Sequence, residues 1–162
     1  MREVSLEPAR VADASRLAAM SRELVENGLR PTWPAARVAW HVRHPESVVL
    51  KATCTSQIAG FAIMQFSEDT AHLNLLAVSL LHRRRGIARQ LMAWLEETAL
   101  TAGTFNIALE LRATNVAAQA FYAALGYREI GRVRAYYEGA EDAIRMARDV
   151  RRADVERRLY GE

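Results

Sequence analysis

Leu75-Leu76-Ala77-Val78-Ser79-Leu80-Leu81-His82-Arg83-Arg84-Arg85-Gly86-Ile87-Ala88-Arg89 joins an apolar run to the start of a long amphipathic segment. The run Ala71–Val78 suits a buried strand. Beyond Gly86, the residues Ile87, Leu91, Trp94 and Leu95 recur at helical spacing, which predicts a helix over 86–102 closed by Gly103. Three arginines stand directly ahead of Gly86. The first N–H groups of a helix lack intrahelical partners, and the positive end of the helix dipole lies there. Gly86 lets a backbone approach an anion closely, and the small Ala88 does not obstruct it. A diphosphate is the guest that such a loop suits. The segment lacks both the Gly-Lys-Ser/Thr ending of a Walker loop and the three glycines of a dinucleotide fingerprint. Taken alone, it is either a phosphate cradle or an ordinary basic helix start.

Working outward, strands and helices alternate. Val4 and Leu6 mark a first strand. A helix is predicted over 13–26, with Leu17, Met20 and Leu24 on one face and Asn27-Gly28 as its stop. Pro34 suits the first turn of a second helix running through Val42. The apolar stretches 47–55, 58–66 and 71–78 read as strands, with hairpin turns at Ser56-Gln57 and Glu68-Asp69. After the long helix come a strand over 105–111, a helix over 115–125 closed by Gly126, and strands over 127–133 and 143–147. The order is β-α-α-β-β-β-α-β-α-β-β, an α/β chain.

With 162 residues there is room for one domain and its core, so the expectation is a single domain over residues 1–162. Cys54 is the only cysteine, which excludes an intramolecular disulfide and a cysteine-built metal site; its apolar neighbours make it a buried spectator. No metal is implied. The chain opens on a strand-like alternation without a basic-then-apolar leader, and no apolar run is long enough for a bilayer; the expectation is a cytoplasmic protein with no membrane contact. The net charge of +3 rests on arginine. No aromatic residues interleave the basic clusters as a base-stacking surface requires, so no nucleic-acid partner is expected. The tail arginines Arg148, Arg151, Arg152, Arg157 and Arg158, mixed with Asp149, Asp154 and Glu156, read as a solvated, partly helical end.

Three motifs in order carry a resemblance. Arg83-x-x-Gly86-x-Ala88 follows Leu75–Val78. Leu109-Glu110-Leu111-Arg112-Ala113-Thr114-Asn115 then leads to Phe121-Tyr122 and Leu125-Gly126-Tyr127. Arg134-Ala135-Tyr136-Tyr137 precedes Glu141-Asp142-Ala143 and Met146. Together, over about half of the chain, they resemble the GNAT superfamily of N-acetyltransferases, and within it the bacterial ribosomal-protein alanine N-acetyltransferases and other enzymes that modify protein N-termini. The resemblance implies the GNAT fold, a central mixed, mostly antiparallel sheet with the fourth and fifth strands splayed, and acetyl-CoA as cosubstrate. It implies that the backbone of Leu76, Ala77 and Val78 pairs with the pantetheine arm, with a bulge near 77–79 opening the sheet. The N–H groups of Arg84, Arg85, Gly86, Ile87, Ala88 and Arg89 would hold the pyrophosphate, and the arginines, Arg83 included, would add charge at its rim. Asn115 resembles a side-chain contact to the cofactor arm; its position equally suits a helix N-cap.

Acetyl transfer to an amine needs a group that takes the amine's proton and one that protonates the leaving thiolate. Tyr122 resembles the family's proton-donating tyrosine, and it also suits packing with Phe121 and Leu125. Glu110 matches the family's general base. Strand alternation sets it beside Asn106, Ala108 and Arg112, so a solvated acid paired with Arg112 is the competing reading. From the residues themselves we add His72, which shares a face with Asn74 and carries an imidazole suited to proton transfer near neutrality; a structural histidine is the alternative. Tyr136-Tyr137 resembles the pair that lines the peptide groove in N-terminal acetyltransferases. Trp33 stands in Gly28-Leu29-Arg30-Pro31-Thr32-Trp33-Pro34, at the place of the family's acceptor-pocket loop, although the segment departs from the family's hydrophobic-proline pattern. The acceptor is accordingly a protein N-terminus or a small-molecule amine such as an amino acid, polyamine or antibiotic. A non-catalytic acetyl-CoA-binding module has no need of Glu110 or Tyr122. A monomer and a homodimer are both compatible with the sequence.

Overall fold

A computed structural model describes residues 3–151 and 159 of the chain. Among these residues lie seven strands and four α-helices: β1 (Val4–Pro8), α1 (Ala14–Leu24), α2 (Ala35–Arg43), β2 (Ser47–Cys54), β3 (Gln57–Phe66), β4 (Thr70–Val78), α3 (Ile87–Ala102), β5 (Asn106–Arg112), α4 (Val116–Ala124), β6 (Arg128–Tyr137) and β7 (Glu141–Asp149). This is the mixed α/β order read from the sequence, and the strand pairs detailed below are antiparallel. Among the described residues, no helix is long and apolar enough to cross a membrane.

The chain divides into two compact units, one of residues 1–65 and 73–95, the other of 66–72 and 96–162. In the first, the strand order is β1-β2-β3-β4. Its core joins Leu17, Ala18 and Met20 of α1 and Val38 and Ala39 of α2 to Phe61 and Ile63 of β3 and to Leu75 and Ala77 of β4. Leu17, Val38, Phe61 and Ile63 are wholly buried, and the helical i, i+3 spacing of Leu17 and Met20 brings both to that face. The β2–β3 turn lies one residue earlier than the sequence suggested. Cys54 pairs with Gln57, and the loop is Thr55-Ser56, with φ of 51° and 64°. One of the two-residue turns whose twist matches its strands, type I′, needs both central residues left-handed, and here that need prevails over the poor fit of threonine to such a conformation. Cys54 is buried. Along α3 the buried stripe centres on Leu91 and Leu95 and turns toward Met92, which leaves the expected Trp94 half-buried at its margin.

Gly60 on β3 sits under the corner where β4 turns toward α3. A Cβ there would lie 2.9 Å from the carbonyl oxygen of Ala77 and 3.3 Å from side-chain atoms of Ile87 and Val78. Because the nearest obstacle is backbone, it cannot rotate away. Gly60→Ala should destabilise the fold by about 1–3 kcal/mol, measured by denaturant titration; a variant as stable as wild type would show that the corner yields.

In the second unit the order is β5-β7-β6, so the last strand lies between the two before it. Glu110 faces Arg145 and Leu109 faces Met146 across β5 and β7. The sequence-based ends fell short here: β6 continues to Tyr137 and β7 runs from Glu141 to Asp149. The ladder is interrupted between Val133 and Tyr137, where Ala135 has a φ of 52°. The Ala135 N–H donates to Asp142 Oδ1 at 2.9 Å. A carboxylate thus replaces a ladder partner, and the bulge re-aims Tyr136 and Tyr137 at the end of the strand. Arg148, expected in a solvated tail, is instead half-buried on β7 and donates to Glu96 Oε2 at 2.5 Å. Arg151 lies over the Phe105 ring at 4.7 Å. The tail residues Arg152, Asp154, Glu156, Arg157 and Arg158 lie outside the described residues.

Candidate active site

In the first unit, β4 alternates strictly, with Leu73, Leu75 and Ala77 buried and Asn74, Leu76 and Val78 half-buried. The Ser79 N–H donates to the Ala59 carbonyl at 2.8 Å, and a short 3-10 turn over Leu80–His82 follows. Ser79 Oγ lies 3.0 Å from His82 Nδ1, and Arg83 Nε donates to the Val78 carbonyl at 3.2 Å. The arginine loop is thereby tied back to the end of its own strand. Arg84 and Gly86 have φ of 65° and 75°, left-handed positions on either side of Arg85. Changes of handedness along a short loop turn successive N–H groups toward one concavity, which suits an anion. A Cβ on Gly86 would meet nothing within 4 Å, so the space over the loop is open. Arg83, Arg84, Arg85 and Arg89 are exposed, Ala88 is half-buried, and Ile87 is buried and fixes the helix start. The residues fit a diphosphate.

Trp33 is only 7% exposed and belongs to the core of this unit. The Arg37 guanidinium covers its ring at 3.7 Å, and the His41 ring lies 5.1 Å away. The loop ahead of it is clamped by a buried carboxylate: Glu26 accepts from the Thr32 N–H at 2.6 Å and from Thr32 Oγ1 at 2.7 Å. Arg37 adds a bond to the Thr32 carbonyl at 2.8 Å. Trp33 therefore supports the loop from inside.

In the second unit, β5 buries Ile107, Leu109 and Leu111 and turns Glu110 to the other face. There His72 Nε2 and Glu110 Oε2 share a short hydrogen bond. Arg145 Nε lies 3.3 Å from the other carboxylate oxygen. The hydrogen bond to His72 holds the Glu110 carboxyl below the usual carboxylate range, against its partial burial, and the charges of His72 and Arg145 act in the same direction. Arg112, the partner of Glu110 in the competing reading, is engaged elsewhere, 3.0 Å from Glu141. Side chains two apart on a strand share a face but lie well separated along it, and the cross-strand neighbours are nearer. Tyr136 and Tyr137 meet edge to face at 5.0 Å. Tyr137 is pushed up to about 12 by burial, with Tyr136 and Glu110 adding to the effect.

Tyr122 on α4 is 7% exposed and lies edge-on to Phe121 at 5.1 Å and to Tyr127 at 5.7 Å. Burial pushes its phenol up, so it is neutral and protonated at any working pH. Tyr127 donates to Glu96 Oε2 at 3.2 Å, on the carboxylate that also holds Arg148. Asn115 caps α4, its Oδ1 accepting from the Ala118 N–H at 3.0 Å. Asn115 is exposed, so capping leaves the residue accessible.

The structure thus brings Glu110 and His72 into contact, with Tyr137 close enough to sense Glu110. Sequence reasoning missed Gly60, Arg145 and the Glu96–Arg148 pair. Arg145 could have been found only from the strand register, because nothing in its local sequence separates it from the other arginines. Among the described residues, no group of three or more His, Cys, Asp or Glu side chains gathers as metal ligands.

A model of the acetyltransferase (GNAT) family matches residues 16–127. The [ribosomal protein bS18]-alanine N-acetyltransferase of Salmonella typhimurium is 43% identical over 101 residues, 60% of this chain and 68% of that protein. The Schizosaccharomyces pombe N-terminal acetyltransferase B complex catalytic subunit naa20 is 32% identical over 131 residues, 76% of this chain and 70% of that protein. The chain spans about two-thirds of the length of the curated bacterial relatives it matches. Among solved structures, the ribosomal-protein-S18-alanine N-acetyltransferase from Escherichia coli superimposes with a TM-score of 0.80 at 28% identity, covering 91% of this chain and 94% of that one.

Proposed function

The chain belongs to the acetyltransferase (GNAT) family, and we propose that it moves the acetyl group of acetyl-CoA onto the α-amine of a protein N-terminus. The observation that carries the acceptor is the 43% identity to an enzyme named for acetylating the alanine of a ribosomal protein. The family match runs through residues 16–127, which supports reading both units as one acetyltransferase domain.

In this reading the loop from Arg83 to Arg89 holds the diphosphate, the backbone of Leu76 to Val78 holds the pantetheine amides, and Asn115 contacts the arm. Acetyl-CoA supplies a thioester carbon open to attack. The amine forms the new C–N bond as the C–S bond breaks, the Glu110–His72 pair takes the surplus proton, and Tyr122 donates to the departing sulfur. Tyr136 and Tyr137 frame the incoming peptide.

The test is release of free coenzyme A thiol by purified protein with acetyl-CoA, against N-terminal peptides, amino acids and polyamines in parallel. Turnover confined to the small amines would replace the proposed acceptor. Glu110→Gln should lower turnover on a peptide about tenfold at neutral pH. An α-amine ionises near about 8, so part of that loss should return by pH 9 as the free amine accumulates. Full activity with an unshifted rate–pH profile would remove Glu110 from the reaction.

A further inference from the structure

We propose that Tyr127 is a positioning residue for acetyl transfer: its ring, anchored through its hydroxyl to Glu96 and Arg148, fixes the orientation in which the Tyr122 phenol meets the leaving sulfur. The inference rests on the acetyltransferase reading above and on Tyr122 as the group that donates to that sulfur.

A phenol that must meet one atom at one stage of a reaction needs its ring held, because a small tilt of the side chain moves the hydroxyl furthest. The chain itself brings Tyr127 to that task. At the end of α4 the Tyr127 N–H donates to the Tyr122 carbonyl at 3.0 Å and the Gly126 N–H to the Ala123 carbonyl at 3.0 Å. With Gly126 left-handed at a φ of 98°, this is a Schellman close. Such a close sets the side chains of its first and last residues against each other, and here these are Tyr122 and Tyr127, edge to face at 5.7 Å.

An apolar residue is enough for that contact. Tyr127 carries a hydroxyl as well, and it is bonded inside the protein. The residue is 2% exposed, and its hydroxyl donates to Glu96 Oε2 on α3 at 3.2 Å. Arg148 on β7 donates to the same oxygen at 2.5 Å, and both side chains of that ion pair are largely buried. Burial and the Glu96 carboxylate push the Tyr127 phenol up, so it remains the donor; Tyr122 is near enough to add to the effect. Arg148 is also placed against the helix close: a Cβ on Gly126 would stand 3.2 Å from its Nε. Packing alone sets a distance between two rings. A hydroxyl bonded to an ion-paired carboxylate sets a direction too, because charge-assisted hydrogen bonds are short and directional.

The test is a double-substitution cycle with acetyl-CoA and whichever acceptor amine the wild type turns over. Tyr127→Phe keeps the ring and its edge contact and removes only the bond to Glu96. It should lower kcat about fivefold, with KM for acetyl-CoA unchanged and the thermal unfolding transition showing a folded protein. In the Tyr122→Phe background the same substitution should cost nothing more, since the hydroxyl it orients is gone. A residue that merely supports the fold would lower turnover in both backgrounds alike. Full turnover in Tyr127→Phe, or losses that multiply in the double variant, would overturn the proposal. Full turnover in Tyr122→Phe would overturn it from the other side, by removing the hydroxyl's role. A wild type inactive on peptides, amino acids and polyamines would sink the acetyltransferase reading beneath it, and the proposal with it.

Discussion

Replacing Tyr122 with phenylalanine is expected to lower turnover on the order of 10²-fold while leaving the thermal unfolding transition nearly in place. The ring supplies the packing. It is 7% exposed and held edge-on to Phe121 and Tyr127, and phenylalanine keeps those contacts. What disappears is one hydroxyl proton. Burial raises the phenol's proton affinity, so Tyr122 cannot act by giving its proton away outright before the C–S bond weakens. It can act by hydrogen bonding to sulfur as charge develops there, an interaction stronger in the transition state than in the bound thioester. The loss should therefore appear in kcat and kcat/KM alike, with little change in acetyl-CoA affinity. Equal turnover in the two proteins would make Tyr122 a packing residue and leave the thiolate to solvent.

Gly86→Asp should weaken acetyl-CoA binding on the order of 10²-fold, by calorimetry. The position is left-handed, with φ of 75°, which costs a side-chain-bearing residue roughly 1–2 kcal/mol and falls on folding rather than on binding. The carboxylate adds the larger effect, because it stands in the open space over the loop where a diphosphate would sit. Two unit charges about 4 Å apart repel by roughly 4 kcal/mol at an effective dielectric of about 20. The flanking arginines screen part of this. Gly86→Ala provides the control, since it shares the backbone strain without the charge and should bind almost normally. Unchanged affinity in a folded Gly86→Asp would move the diphosphate away from this helix start.

Local physics explains which features were legible without a structure. The strand-to-helix corner at Val78–Gly86, the N-cap at Asn115 and the glycine stops at Gly103 and Gly126 depend on neighbours a few residues away, and all appear where expected. The alternation through β5 likewise assigned Glu110 to the face opposite Leu109 and Leu111. The Thr55-Ser56 turn was misplaced by one residue because its handedness answers to the twist of two paired strands, which no four-residue window contains.

The sequence by itself determined the order of elements, because periodicity and capping are properties of contiguous chain, and its resemblance to the GNAT family supplied the proposed phosphate loop, acid and base. Only the tertiary structure decided the partners. It inserted β7 beside β5 and so set Arg145 against Glu110, gave Arg112 to Glu141, and buried Trp33 beneath Arg37. Charges of either sign are abundant here, and which two meet is a matter of register and topology, set by the burial of apolar residues on the opposite face of the same strands.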